Sequence, residues 1–283
     1  MVRLLALLGL SCVLLASDSS VERARKLYNL TEFDQSLKIL HAMPAKDAQA
    51  YELIGRNLYM QGDFKRASEA FESALAAEPG NSTTALWLAR SFGRRAETSS
   101  PFTAPGYASK ARTYFEKAVQ LNARNLEALS DLFEYYMEAP GFLGGGQDKA
   151  QALVPKMAAV NEADAQWAQA KLAEKRKQYS TAEEHLRRAI EVAPQQVGRF
   201  IELAHFLTKE GRNQEADESL ARAEKIAPNS PRLMYAKADI YIKSSRNLQL
   251  AKDLLKRYIS SPLSPDDPPR SEALKLLKQV QGS

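Results

Sequence analysis

Three histidines, one cysteine and a run of three glycines are the residues with the chemistry for catalysis, metal binding or phosphate binding. Their spacing argues against each use. His41, His185 and His205 lie far apart, and no His-Glu-x-x-His sets two imidazoles on one helix face. There is no Cys-x-x-Cys, and no Gly-x-Ser-x-Gly turn to present a serine nucleophile. Cys12 is the single cysteine, so an internal disulfide is excluded. Gly144-Gly145-Gly146 runs into Gln147-Asp148-Lys149-Ala150, without the preceding strand or the Gly-Lys-Ser/Thr of a phosphate loop. Asp148 reads more simply as a helix cap. No catalytic residue, metal ligand or cofactor is expected, and the chain is not expected to be an enzyme. What remains is recognition by charged and aromatic side chains.

Such side chains need a scaffold, and the sequence writes one as a repeat. Phe71, Phe115, Val154, Leu186, Leu220 and Leu255 each follow a small residue by four places: Ala67, Ala111, Ala150, Ala182, Ala216 and Ala251. The steps between the bulky residues are 44, 39, 32, 34 and 35. In the best unit Tyr51, Ile54, Gly55 and Leu58 share one helix stripe, because offsets of three and four return to the same face. Gly55 and Ala67 are small where two helices cross closely. Phe71 fills the space between that pair and the next. Gly62-Asp63 makes the turn, and Pro79 ends the second helix. Phe200, Leu203, Ala204, Leu207, Ala216, Leu220, Ala223 and Pro228 repeat the grammar.

These residues resemble the tetratricopeptide repeat, with its small and bulky positions on a period near 34. The resemblance implies an all-α, right-handed superhelical solenoid of helix-turn-helix units with a C-terminal capping helix. Units are expected at residues 18–47, 48–81, 82–125, 126–162, 163–196, 197–230 and 231–264, forming one elongated domain. A capping helix and tail follow at 265–283, with Ser271–Val280 as the helix.

Two insertions interrupt the period. One falls in Arg94–Gly106 and the other in Glu138–Gln147, each between the helices of one unit. All such turns share one edge of a helical-hairpin stack, so the two segments are expected to be neighbours. They carry Phe102, Phe142 and Leu143. Either these clasp each other or the adjacent helices, or they form a contact patch for a partner.

The resemblance also implies a binding groove, lined by the first helix of each unit at the position after the small residue. Here that position holds Arg25, Arg56, Arg90, Glu134, Lys171, His205 and Asp239. Trp167 and Tyr235 stand one turn away as expected anchors, being residue types enriched at binding hot spots. The mixture has a basic bias and suits an extended peptide with acidic groups. Charge reversal at Arg56 and Arg90 is expected to weaken the partner and leave melting unchanged. The family's carboxylate clamp is not expected, since no unit has Asn at the position held by Arg56. A competing reading is a receptor for a small anionic ligand, like transporter-associated members of the family.

Residues 1–17 have a basic start at Arg3 and an apolar stretch from Leu4 to Ala16, the outline of a signal peptide. A buried amino-terminal helix is the competing reading. The stretch is shorter than the ~20 residues of a membrane span. Cleavage after Ser17 or Ser19 would export the chain to a bacterial periplasm or the exterior. A lipid anchor at Cys12 is not expected, because Gly9-Leu10-Ser11 and the apolar residues after it depart from the acceptor pattern. Lysine plus arginine number 39 against 34 acidic residues, and the charges are interspersed as on solvated helix faces. No long basic run with interleaved aromatics points to nucleic acid.

Overall fold

Helix starts follow the side-chain caps. A computed structural model of the chain describes residues 20–281, so the expected leader at residues 1–17 and Cys12 lie outside the described residues. Asp47, Asp63, Asn81, Asn125, Asn161 and Ser230 each accept a bond from a backbone N–H in the first helical turn that follows. No strand occurs among the described residues. They form two compact units, divided in sequence between Gly146 and Gln147.

The first unit holds α1 (residues 20–29), α2 (Phe33–His41), α3 (Ala48–Met60), α4 (Phe64–Ala77), α5 (Ser82–Thr98), α6 (Ala104–Leu121), α7 (Leu126–Glu138) and a 3-10 turn at Gly141–Leu143. From α2 onward each helix packs on the next, and α3, α5 and α7 also touch in turn. Gly55 on α3 meets Phe71 on α4: a Cβ at Gly55 would lie 2.7 Å from Phe71 Cε1. Phe71 itself is 0% exposed.

The second unit holds α8 (Gln147–Gln151), α9 (Val154–Ala158), α10 (Glu162–Lys175), α11 (Tyr179–Val192), α12 (Val197–Lys209), α13 (Asn213–Ile226), α14 (Pro231–Lys243), α15 (Leu248–Ser260) and α16 (Arg270–Gln281). Pro155 stands in the first turn of α9, just after the break that separates α8 from α9 in one second-helix position. A proline there lacks the N–H that a continuous helix would need. At its far end, α16 packs on α14 and α15 and buries Ala273 and Val280.

Five hairpins close by one turn type. Thr31, Gly62, Lys177, Gly211 and Ser245 all have φ between 53° and 81°. The next residue then donates its N–H back into the first helix, as in Asp63 to the Leu58 carbonyl at 2.9 Å and Arg212 to the Leu207 carbonyl at 2.8 Å. This is the glycine-favoured helix stop, yet Lys177 is bulky and exposed there. Lys177→Gly is expected to raise stability by up to about 1 kcal/mol, because a Cβ is costly in this left-handed region. Denaturant unfolding checks it, with Gly211→Lys as the mirror experiment losing a similar amount.

The first insertion differs from the expected loop. Residues 94–98 continue α5 and residues 104–106 begin α6, so only residues 99–103 are non-helical. With 17 and 18 residues, α5 and α6 each exceed α3 and α4, at 13 and 14, by four. Four residues are about one helical turn, or ~6 Å, so the extension keeps each buried stripe nearly in register. Paired aromatics knit it: Phe92 stacks on Tyr107 and Tyr114 with centroids 6.3 and 5.7 Å away, and the Arg95 guanidinium lies 4.2 Å from the Tyr107 ring.

The second insertion stays in the loop before α8. Arg112 and Tyr135 both donate to the Leu143 carbonyl, at 3.2 and 2.9 Å, and the Gly146 N–H donates to the Tyr136 carbonyl at 2.8 Å. Gly144 has φ 86°, and a Cβ at Gly145 would fall 1.8 Å from the Ala139 carbonyl oxygen. The glycine run is therefore built for close backbone approach. Phe102 and Phe142 clasp nothing: they are 96% and 83% exposed.

Candidate functional site

In the first unit the face formed by α3, α5 and α7 centres on Trp87, which sequence reasoning passed over. The guanidiniums of Arg56 and Arg90 each lie 4.9 Å from its ring centroid. Tyr59 meets the indole edge-on at 5.2 Å, and Phe71 stacks beside it at 6.2 Å. Trp87 remains half-buried, its ring held by cations and aromatics.

Both arginines already carry carboxylates. Arg56 pairs with Glu52 on its own helix at 2.7 Å, and Thr84 on α5 donates to the same carboxylate at 2.8 Å. Arg90 grips Asp131 of α7 through Nε at 2.6 Å and Nη2 at 3.3 Å, and also reaches Glu127 at 3.2 Å. Burial opposes the charge on Arg90, but the bonds to Asp131 outweigh it and raise its pKa. The basic bias of the sequence is thus neutralised in place. With these pairs in place, charge reversal at Arg90 is expected to lower the melting temperature rather than leave it unchanged.

The α10, α12 and α14 face of the second unit is wired in the same way. Lys171 reaches Glu202 at 3.5 Å, Lys209 reaches Glu174 at 3.2 Å, and Arg199 pairs with Asp164 at 2.8 Å. Asp239 pairs with Lys243 on its own helix at 2.7 Å. His205 lies among Glu202, Asp239, Lys243 and Lys171; burial lowers its pKa, while the two carboxylates pull it upward. Tyr235 tilts onto Tyr258 with centroids 5.3 Å apart. Trp167 is only 8% exposed and forms part of the wall, with the Lys171 ammonium 5.8 Å from its ring.

One rule relates these pairs. A groove residue meets the residue one turn before the equivalent position in the next unit. Arg56 therefore meets Trp87, and Lys171 meets Glu202, each 31 positions on; Arg90 meets Asp131 at 41, the first insertion adding ten. Arg25 finds Leu53 at that place and pairs instead with Glu22 of its own helix at 3.4 Å. Scanning the period minus one turn would have found Trp87 and Asp131 from sequence. Glu134, on α7, is exposed.

A separate hollow of about 670 Å³ opens beside α11, where His185 Nδ1 lies 2.7 Å from Gln166 Oε1. Its lining includes Glu183, Glu184 and Glu191 against Arg187 and Arg188. Among the described residues no group of three or more His, Cys, Asp or Glu is placed to hold a metal. No described helix is long and apolar enough to cross a membrane.

Two family models, both described as tetratricopeptide repeat, match residues 48–81 and 173–240. The chain is similar in structure to a tetratricopeptide repeat protein from Parabacteroides merdae, with TM-score 0.60 and 18% identity over 94% of this chain and 98% of that one. A thermophilic TPR protein of Thermus thermophilus gives TM-score 0.54 and 19% identity, over 68% and 98%. The Cut9–Hcn1 hetero-tetramer of the APC/C gives TM-score 0.51 and 16% identity, over 91% and 48%. At such identities the likeness shows the fold alone. No curated protein matches the chain.

Proposed function

The chain is a tetratricopeptide repeat protein, and from that premise we propose that it binds a segment of a partner protein along its first-helix faces. The family's repeats form protein–protein interaction modules. The finer reading rests on the Trp87 cradle. Aromatic and arginine side chains are the types that dominate binding energy at interfaces. Here they are already ordered by ion pairs and ring contacts, so a partner loses less side-chain entropy on docking. Each nearby cation already holds a carboxylate, so the partner is read by its planar and apolar contact with Trp87 and Tyr59, with charges fixing register.

We place this binding outside the cytoplasm, on the leader outline of residues 1–17, and assign no reaction to the chain. The competing reading, a small anionic ligand, gains no support from the hollow beside α11, where Arg187 and Arg188 are already paired with Glu183 and Glu191 and a third glutamate is left over.

The test is capture from the envelope and secreted fractions by the chain beginning at Asp18, compared with Trp87→Ala and Arg56→Gln. Arg56 is ion-paired only within its own helix but also lies over the Trp87 ring, so its loss should cost the fold no more than about 1 kcal/mol. Trp87→Ala is expected to weaken the captured protein at least ~10-fold, as for a hot-spot residue, and Arg56→Gln less. Equal retention by parent and both variants would remove the groove reading. Mass spectrometry of the secreted chain, starting at Asp18 or Ser20, checks export; a start at Met1 refutes it.

A further inference from the structure

We infer that the turn edge of the first unit rests on a lipid surface, with Phe102 and Phe142 as its inserting side chains. Each first helix runs antiparallel to its second, and α3, α5 and α7 lie side by side, so the intra-hairpin turns share one edge. Side-chain bonds join successive turns along it: Gln61 to Asp34 at 2.7 Å, Arg95 to Ser68 at 2.8 Å, and Arg112 to the Leu143 carbonyl at 3.2 Å.

Three of the four turns on this edge put a large apolar side chain into water: Leu30 at 67% exposure, Phe102 at 96% and Phe142 at 83%. At the place of Leu30 the turns of the second unit carry Arg176, Glu210 and Ser244, and the one exposed aromatic beside them, Tyr179, is at 44% far less open than Phe102 or Phe142. Neighbouring hairpins stand about 10 Å apart, so the three knobs are spread over roughly 30 Å with polar residues between them. They make no contiguous apolar patch for a protein to cover, and a protein would need a separate pocket for each. A bilayer interface takes isolated aromatic side chains without pockets, as aromatic belts do.

The knobs are also stiff. Phe102 tips a turn closed by the Thr103 and Ala104 N–H groups on the Ser100 carbonyl, at 3.0 and 2.9 Å. Phe142 tips the glycine loop, tied down through Leu143 and Gly146. Exposed charges beside the turns pair locally, Arg66 with Asp63 and Arg94 with Glu97, and the remaining ones mix acids (Glu32, Asp34, Glu138) with bases (Lys65, Lys110), so the edge carries no block of one sign. The lipid it fits is therefore uncharged at its surface, and attraction should not depend on salt.

Co-flotation with phosphatidylcholine vesicles tests this, using the chain from Asp18 onward, which keeps every described helix. The parent should float equally at low and high salt. Phe102→Ser and Phe142→Ser should each cut the bound fraction about tenfold, the loss of one interfacial apolar side chain. Both residues are exposed, so neither change should alter the melting curve. A parent that does not float, or a double variant that floats as well as the parent, overturns the proposal; in the first case the knobs pass to a protein partner.

Discussion

Phe71→Ala is expected to lower stability by about 3–5 kcal/mol, and in that background Gly55→Ala should turn from harmful to favourable. The ring is 0% exposed, wedged between its own hairpin and Trp87 of the next. Removing it leaves a cavity at the join of two repeats, where relaxation is limited. Gly55 sets the second half of the experiment. A Cβ there would sit 2.7–2.8 Å from three atoms of the Phe71 ring, which has no room to swing away. In the parent, Gly55→Ala should therefore cost about 1–3 kcal/mol of overpacking, more than the helix-propensity gain of ~1 kcal/mol. Without the ring only the gain survives. Denaturant unfolding of the four proteins gives the cycle, and additive effects would show that the two positions do not meet.

Arg90→Glu should cost about 2–4 kcal/mol, and Asp131→Arg in the same chain should restore most of it. Arg90 and Asp131 are 22% and 23% exposed, dry enough for a lost partner to matter and wet enough to fall short of a fully buried pair. Reversal would bring three carboxylates together, at positions 90, 127 and 131. The swap rebuilds one ion pair of opposite polarity between the same two helices. Thermal unfolding decides it: an unchanged midpoint for the single reversal would mean that the rung is ornamental, and failure of the swap would point to Trp87 packing instead.

The repeat was open to reading because it is local. Gly55 and Phe71, or Ala204 and Leu220, stand at fixed offsets on single helices, and close packing dictates their sizes. The turns were partly open: Gly62 and Gly211 announce a left-handed residue, whereas Thr31, Lys177 and Ser245 adopt the same φ without glycine's signature. The insertion after α5 misled because Ser99, Ser100 and Pro101 read as loop over a wide window. Cross-helix aromatics such as Phe92 and Tyr107 override that, and no linear pattern records which rings will stack. At the candidate site the positions on the first helices were visible, but their counter-charges were not. Arg90 and Asp131 are 41 residues apart, so their pairing needs the period, the insertion length and one helical turn together.

The lengthened hairpin of α5 and α6 has a consequence for how this architecture varies. Each arm grew by four residues, and the tip absorbed two more. A half-turn increment would rotate the buried stripe at the tip toward water; a whole turn leaves it facing its neighbour. Arm length in such a stack is therefore quantised, in steps of about eight residues per hairpin. An engineer wishing to raise a peptide epitope above the edge should splice in multiples of that step, with a cross-helix contact in every added turn, as Arg95 and Tyr107 make here.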